Sequence, residues 1–230
     1  MSHLIEIGKK YPTSKNVTGF LKIYENYFRN FREKEIKILE IGVDRGDSLR
    51  LWREYFPKAQ ICGIDILKKD FKIDGVDIFI GDQSNYDFLK TVIKKYVSFD
   101  IIIDDGSHVS KHIIKSLNYL FEHLKKNGLY IIEDLQTSYF PRYGGSRYNL
   151  KKDTTAMNFL KSLADSINYE QNDKPFFKRK KFDGNIQYIH FYQNIAIIKK
   201  GESIKYFYKD KKDTNNWSEK LKKIISFFYR

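Results

Sequence analysis

Two short runs of the chain combine carboxylates with a group that can move a proton. The run DDGSH occupies positions 104–108 and the run EDLQTSY begins at position 133, each after a nearly all-apolar stretch. If those stretches are parallel strands of one sheet, both runs lie at the same edge. Clustered carboxylates repel unless they are protonated or bind a cation, and thiolate-free oxygen ligands suit Mg²⁺ first and Mn²⁺ next. His108 is the natural general base, because imidazole titrates near neutral pH. Each residue alone also fits a capping or packing role, but their coincidence favours chemistry.

A second set of residues follows the first two predicted strands. Glu40 stands two positions before Gly42, and Gly46 comes four positions later. This spacing lacks the Gly-x-Gly-x-x-Gly order that places a pyrophosphate at a helix N-terminus, and the preceding acid suits a cationic ligand. Asp65 ends the second strand, where a carboxylate can accept both hydroxyls of a ribose. Asp82 follows the third strand and is placed to face an adenine edge, although one such acid alone would usually only cap a turn.

Apolar runs alternate with helical patterns, which predicts parallel β–α–β units with helices on both faces of the sheet. An apolar stripe from Ile113 to Leu124 predicts one helix, capped by Ser107 or Ser110 and ended near Gly128. A long loop is expected over 136–152. The remaining predicted elements are strands at 36–41, 60–65, 77–80, 99–103 and 129–132, a hairpin at 186–192 and 195–199, and helices at 48–56, 86–96, 155–166 and 218–228.

Taken together, residues 36–132 resemble the Rossmann-like class of S-adenosylmethionine-dependent methyltransferases. DDGSH, EDLQTSYF and the later YGG at 143–145 resemble more closely the macrocin/mycinamicin family of metal-dependent sugar O-methyltransferases. The interval between Asp105 and Glu133 agrees with that family. YPTSK at 11–15 and YENYF at 24–28 match it more loosely, because the family's Gly-Thr-Asp-Lys-type run is degraded here.

The resemblance implies an α/β fold with a mostly parallel seven-stranded sheet and a C-terminal antiparallel hairpin. It implies one domain over 1–230, with a helical segment at 1–32, the Rossmann-like core at 33–200 and a basic extension at 201–230. The resemblance also implies specific roles. Asp105, Glu133 and Asp134 would be ligands of Mg²⁺ or Mn²⁺, and His108 would be the general base, acting with Asp105.

The resemblance further implies which residues hold S-adenosylmethionine: Glu40, Gly42 and Gly46 at the methionine, Asp65 at the ribose, Asp82 with Gln83 at the adenine, and Asp104 near the amino group.

The leading hypothesis is methyl transfer to a sugar hydroxyl of a nucleotide sugar or a surface glycan. The net charge is +13, concentrated from Lys174 onward. Solvated surface lysines are the favoured explanation, and contact with phosphates of the acceptor is the alternative. An RNA methyltransferase is the first alternative, disfavoured by the acidic edge around Asp105. A non-catalytic subunit of a glycan-synthesis complex is the second. No apolar run approaches the roughly 18 residues of a membrane span, and the single Cys62 fits a reducing compartment. A cytoplasmic protein is therefore expected. The resemblance also implies a homo-oligomer.

Overall fold

The computed structural model describes residues 3–171 and 179–202. Its centre is a seven-stranded sheet in the order β3-β2-β1-β4-β5-β7-β6. The first five strands are parallel, and β7 pairs antiparallel with both β5 and β6. The strands are β1 (Lys37–Ile41), β2 (Gln60–Asp65), β3 (Val76–Ile80), β4 (Phe99–Asp104), β5 (Leu124–Ile132), β6 (Ile186–Tyr192) and β7 (Ile195–Lys200).

Seven α-helices occur in the described residues. They are α1 (His3–Gly8), α2 (Ser14–Val17), α3 (Phe20–Phe28), α4 (Asp47–Tyr55), α5 (Tyr86–Tyr96), α6 (Ser110–Leu120) and α7 (Ala156–Ile167), with 3₁₀ turns at Leu135–Tyr139, Pro141–Tyr143 and Tyr169–Gln171. Within this part of the chain, none of the helices has the length and apolar character needed to cross a membrane.

The register brings the carboxyl ends of the central strands level with one another. Ile41, the last residue of β1, pairs with Ile64 of β2 and with Asp104 of β4. Asp104 in turn pairs with Ile132, the last residue of β5. The strand order reverses between β1 and β4, and in open α/β sheets the crevice at such a reversal is where ligands bind. The side chains that follow these strands therefore meet at one edge.

The core lies on both faces of the sheet, as the continuous apolar strands predict. Leu39 and Ile102 pack into one cluster, with α5, α6 and α7. Ile38 and Ile101, their immediate neighbours along β1 and β4, pack into the other, with α1, α3 and α4. Each strand therefore places alternate side chains in opposite clusters, and helices cover both sides.

The fold predictions are confirmed for the mixed sheet, the C-terminal hairpin and the helices around them, and most element ends move by a residue or two. The boundary between α6 and β5 was wrong, because β5 begins at Leu124 and not at 129. Helix α6 ends at Leu120, and Leu124 belongs to β5, where it pairs with Phe99. Apolar periodicity does not separate these states, because Leu124 is buried in the same core cluster as the helix residues.

The predicted caps of α6 were also wrong. Its N-cap is Val109, without a side-chain hydrogen bond, and Gly128 lies inside β5. Asn127, and not Gly128, has the left-handed backbone, with φ of 67°. The expected loop at 136–152 contains two 3₁₀ turns. The helix predicted at 218–228 lies outside the described residues, and so does most of the basic extension, so the domain limits stay predictions.

Candidate active site

The loop after β1 depends on a glycine at position 42. Gly42 has φ of 93°, and a Cβ there would lie 2.0 Å from the backbone oxygen of Asp105. The Gly42 N–H donates to Ile64 O at 2.8 Å, and the Asp105 N–H donates to Ile41 O at 2.9 Å. Because no side chain fits between these backbones, glycine lets the segment after β1 approach the segment after β4.

Asp65 organises the same loop from the end of β2. Its Oδ2 accepts hydrogen bonds from the N–H groups of Val43 and Asp44 at 3.0 and 3.1 Å, and its Oδ1 accepts one from Leu67 N–H at 2.8 Å. Lys69 Nζ lies 2.8 Å from Oδ2. Burial alone would raise the pKa of Asp65, but the Lys69 ammonium and the three N–H groups outweigh it and lower the pKa. The carboxylate therefore stays charged at the strand end.

A buried network joins the ends of β3 and β4. Gln83 donates from Nε2 to Asp104 at 3.0 Å and accepts at Oε1 from Ser107 N–H at 2.8 Å. Ser116 donates to Asp104 at 2.7 Å. Asp104 is only 2% exposed, and burial raises the pKa of its carboxyl. Asp82, beside Gln83, accepts hydrogen bonds from the backbone and hydroxyl of Ser84, which lower the pKa of Asp82.

Two adjoining cavities open at this edge. The smaller has a volume of about 180 Å³, and the larger of about 410 Å³. Gly42, Asp65 and Gly106 line both, so the cavities adjoin at the ends of β1, β2 and β4. Asp82, Gln83 and His112 line only the smaller cavity, whereas Lys15, Asp105, His108 and Asp134 line only the larger.

The larger cavity holds a cluster suited to a metal ion. Asp105, His108 and Asp134 each offer one ligand atom, and these atoms lie within 4.8 Å of one another. His108 Nε2 is 3.6 Å from Asp134 Oδ2. His108 and Asp134 both have left-handed backbones, with φ of 57° and 54°. Non-glycine residues in this region cluster at functional sites, where the surrounding structure holds them.

Thr137 provides part of that holding structure. Its Oγ1 lies 3.1 Å from the carbonyl oxygen of His108 and 2.7 Å from that of Asp134. The side chain is buried, with 5% of the residue exposed. Thr137 therefore links the loop after β4 to the loop after β5 at the two residues whose backbones are left-handed.

Next to the cluster of Asp105, His108 and Asp134, Lys15 of α2 bridges three carboxylates. Its Nζ lies 2.6 Å from Asp105, 2.9 Å from Glu133 and 3.3 Å from Glu40, and the side chain is 1% exposed. Burial would lower the pKa of Lys15, but Glu133, Asp105 and Glu40 together raise it well above its ordinary value. The ammonium thus offsets part of the negative charge at this edge.

Glu133 and Glu40 lie in the protein interior, on either side of that ammonium. Tyr24 donates its hydroxyl proton to Glu133, and burial raises the pKa of Glu133 to about 8. Ser48 and Trp52 donate to Glu40 Oε2 at 2.9 and 3.0 Å, and burial raises the pKa of Glu40. Glu133 and Asp105 share Lys15 as a partner, so these two carboxylates also face a common point.

The structure thus sorts the predicted site residues into three places. Gly42, Asp65, Asp82 and Gln83 line the cavities, and Asp105, His108 and Asp134 form the cluster. Glu40, Asp104 and Glu133 are buried directly below. Gly46 lines neither cavity; it is the N-cap of α4, with φ of 80°.

Two residues of the site were missed by sequence reasoning. Lys15 had a signal only in the loosely matching run YPTSK. His112 was not among the predicted site residues, yet it lines the smaller cavity and its Nδ1 lies 3.1 Å from Ser107 Oγ.

No family model matches the chain. The chain is 37% identical over 218 residues to mycinamicin VI 2''-O-methyltransferase of Micromonospora griseorubida, covering 87% of this chain and 53% of the relative. It is 35% identical over 209 residues to demethylmacrocin O-methyltransferase of Streptomyces fradiae, covering 86% and 53%. The chain therefore spans about half the length of the curated relatives that it matches.

Solved structures give the same relationship. The MycE methyltransferase from the mycinamycin biosynthetic pathway, in complex with Mg and SAH, superposes with a TM-score of 0.85 at 35% identity, covering 90% of this chain and 57% of that one. A putative ribosomal RNA methyltransferase from Plasmodium falciparum gives 0.53 at 16% identity, covering 84% and 99%, and this likeness shows the fold alone.

The fold is therefore that of the class I S-adenosylmethionine-dependent methyltransferases, with its strand-end crevice in the expected place. Within this class the chain is a homologue of the macrocin/mycinamicin-type sugar O-methyltransferases, the family that its two acidic motifs resemble.

Proposed function

We propose that the chain transfers a methyl group from S-adenosylmethionine to a sugar hydroxyl, with the help of a divalent cation. One observation carries the proposal: the carboxylates of Asp105 and Asp134 and the imidazole of His108 converge within 4.8 Å beside a cavity at the ends of β1 and β2. The named O-methyltransferases among its relatives, and the Mg and SAH of the MycE complex, support the same reaction for this chain.

The smaller cavity suits the nucleoside of the methyl donor. Asp65 would accept the ribose hydroxyls, and Asp82 with Gln83 would face the adenine. Gly42 leaves room for the ligand beside the backbone, while Glu40 and Asp104 below it contribute negative charge near the methionine. Gly46 acts at a distance, by starting helix α4 after the loop. The methyl donor supplies a sulfonium, whose carbon is already activated for attack.

The residues at the ends of β4 and β5 fit a hard divalent cation such as Mg²⁺ or Mn²⁺, because the donors are carboxylate oxygens and imidazole nitrogen. We propose Asp105, Glu133 and Asp134 as the ligands. Asp105 and Glu133 lie 2.6 and 2.9 Å from Lys15 Nζ, so their carboxylates face a common point that an ammonium occupies here. When bound, a divalent cation orients the acceptor hydroxyl and makes it more acidic.

His108 then has the role of general base. Its imidazole accepts the hydroxyl proton as the acceptor oxygen forms its bond to the methyl carbon and the carbon–sulfur electron pair stays on sulfur. Asp134 Oδ2 lies 3.6 Å from Nε2, the nitrogen that would take the proton. Thr137 holds both residues by their carbonyl groups. The larger cavity, of about 410 Å³, offers space for the acceptor sugar.

For the acceptor, the names of the relatives favour a sugar attached to a small molecule. A nucleotide sugar or a capsular glycan unit is the broader form of the proposal, and a phosphorylated acceptor would suit the basic residues near 178–181. Lys178 lies outside the described residues. Homo-oligomer formation and a cytoplasmic location stay predictions.

A single variant, His108→Asn, separates the methyl-transfer step from binding of the cofactor. His108→Asn should keep the affinity for S-adenosylhomocysteine, measured by calorimetry, and lose methyl transfer by about 10²–10⁴-fold. His123→Asn, on the opposite side of the protein from the cluster, is the matched control and should retain transfer. Full activity in His108→Asn would contradict the role of the imidazole.

A further inference from the structure

A third cavity, of about 480 Å³, lies at the opposite edge of the sheet from the active site. Its lining includes Ile36, which precedes β1, and Asp100, at the start of β4. Parallel strands present their amino ends at one edge and their carboxyl ends at the other. This cavity is therefore separated from the cluster around Asp105 by the length of the strands, and the proposed reaction does not use it.

Two lysines in this cavity face the same aromatic ring. Lys34 Nζ and Lys199 Nζ each lie 5.8 Å from the centroid of the Phe31 ring. Phe31 packs against the core cluster of its face, so the ring is held in place. The two ammonium groups thus lie near one fixed apolar surface.

Neither ammonium has a carboxylate partner in the range that the structure describes. The neighbouring lysines do: Lys125 pairs with Asp100 at 2.7 Å, and Lys126 pairs with Glu202 at 2.8 Å. Lys200, next to Lys199, donates to three carbonyl groups at the end of α6 and the start of β5. The ammonium groups of Lys34 and Lys199 therefore differ from those of the neighbouring lysines in having no carboxylate partner or carbonyl acceptor among the described residues.

This arrangement costs free energy as it stands. Burial and the Lys34 ammonium both lower the pKa of Lys199, because each disfavours a second positive charge there. An anion between the two lysines would relieve the repulsion and gain two charge-assisted hydrogen bonds. A dianion matches two ammonium groups better than a single carboxylate does.

We propose that this cavity is a binding site for a phosphate ester, with the phosphate between Lys34 and Lys199. Tyr27 and Tyr188 line the same cavity and offer ring surface for the organic group that carries the phosphate. Two acids, Glu35 and Asp100, also line the cavity; Asp100 is paired with Lys125, so Glu35 is the acid that most opposes binding. The site lies apart from the methyl-transfer chemistry and does not depend on it.

The test is calorimetric titration of the full chain with inorganic phosphate and with phenyl phosphate. Phenyl phosphate should bind more tightly, because only the ester uses the rings. Lys199→Met and Lys34→Met should each weaken binding by about tenfold or more, as loss of a charged hydrogen bond predicts. Glu35→Gln should strengthen it.

Lys90→Met, on the exposed side of α5, is the control and should leave the affinity unchanged. Thermal unfolding of each variant confirms that it folds, and Lys34→Met keeps the test informative because Lys34 is exposed. Equal affinity for the two probes would overturn the role of the rings. Binding that is absent, or unchanged in both lysine variants, would overturn the site.

Discussion

Lys15 Nζ lies 2.6 Å from Oδ2 of Asp105, although the two residues are 90 positions apart in the chain. Lys15 comes from the short helix α2, and Asp105 follows the central strand β4. The contact fastens the amino-terminal segment to the edge of the sheet where Asp105, His108 and Asp134 cluster. The same ammonium also contacts Glu133 and Glu40, so one side chain balances three buried or half-buried acids.

Replacing Lys15 should therefore destabilise the protein strongly. Lys15→Met leaves Glu40 and Glu133 buried without their cation, and breaking a buried ion pair from one side costs about 3–5 kcal/mol. The free energy of unfolding in urea measures this loss. Lys9→Met is the control, because Lys9 forms an exposed pair with Glu6, and it should change stability by less than about 1 kcal/mol. Equal effects of the two substitutions would contradict the bridging role.

Gly42 allows a matched test of the contact between the loops after β1 and β4. Gly42→Ala adds a Cβ 2.0 Å from Asp105 O, whereas Gly19→Ala adds one at a position with φ of 75° and nothing within 4 Å. Gly19→Ala should cost about 1–2 kcal/mol, the strain of a left-handed residue. Gly42→Ala should cost more in urea unfolding and should also weaken Mn²⁺ binding, because Asp105 must shift. Similar costs, with metal affinity intact, would argue against this contact as a constraint.

The lowered pKa of Asp65 predicts a specific pH dependence of protein stability. Its pKa is lowered in the folded protein, so its contribution to stability is present above the ordinary carboxyl pKa and is lost as pH falls through the lowered value. Asp65→Asn should therefore reduce stability at pH 7, and the difference from wild type should shrink as pH falls below 4. Urea midpoints across this range provide the measurement. Asp165→Asn, on an exposed face of α7, should show no such trend, and a constant deficit in Asp65→Asn would contradict the assignment.

Measurement of Mn²⁺ binding tests whether Glu133 or His108 is the third metal ligand beside Asp105 and Asp134. If Glu133 is the third ligand and His108 the base, Glu133→Gln should weaken Mn²⁺ binding by about 10-fold or more, while His108→Asn should leave it nearly unchanged. Electron paramagnetic resonance titration of free Mn²⁺ reports this without any turnover. The opposite pattern would make His108 the ligand and remove it as the base.

Much of the site could be predicted because strand ends can be recognised locally. The apolar strands ending near Ile41, Asp65, Asp104 and Ile132 are visible as short buried runs, and parallel pairing then forces their last residues to one edge. Gly42 also carried a readable signal, because a glycine directly after a strand indicates a close approach of backbones.

Other features depend on contacts that no local pattern encodes. Lys15 meets Asp105 only because α2 folds back over the sheet, and nothing within its own short run distinguishes it from a surface lysine. Glu133 and Asp134 are adjacent, yet one is buried against Tyr24 and the other lines the larger cavity. That difference rests on the left-handed backbone at Asp134 and on the hydroxyl of Thr137, neither of which periodicity reveals.

The most direct test of the account is transfer of labelled methyl from S-adenosylmethionine to a panel of sugar-bearing small molecules, nucleotide sugars, surface glycans and bulk RNA, each with Mg²⁺ or with EDTA. Label should enter a sugar only when Mg²⁺ is present. Label that enters RNA whether or not EDTA is added would contradict both the acceptor and the role of the metal cluster.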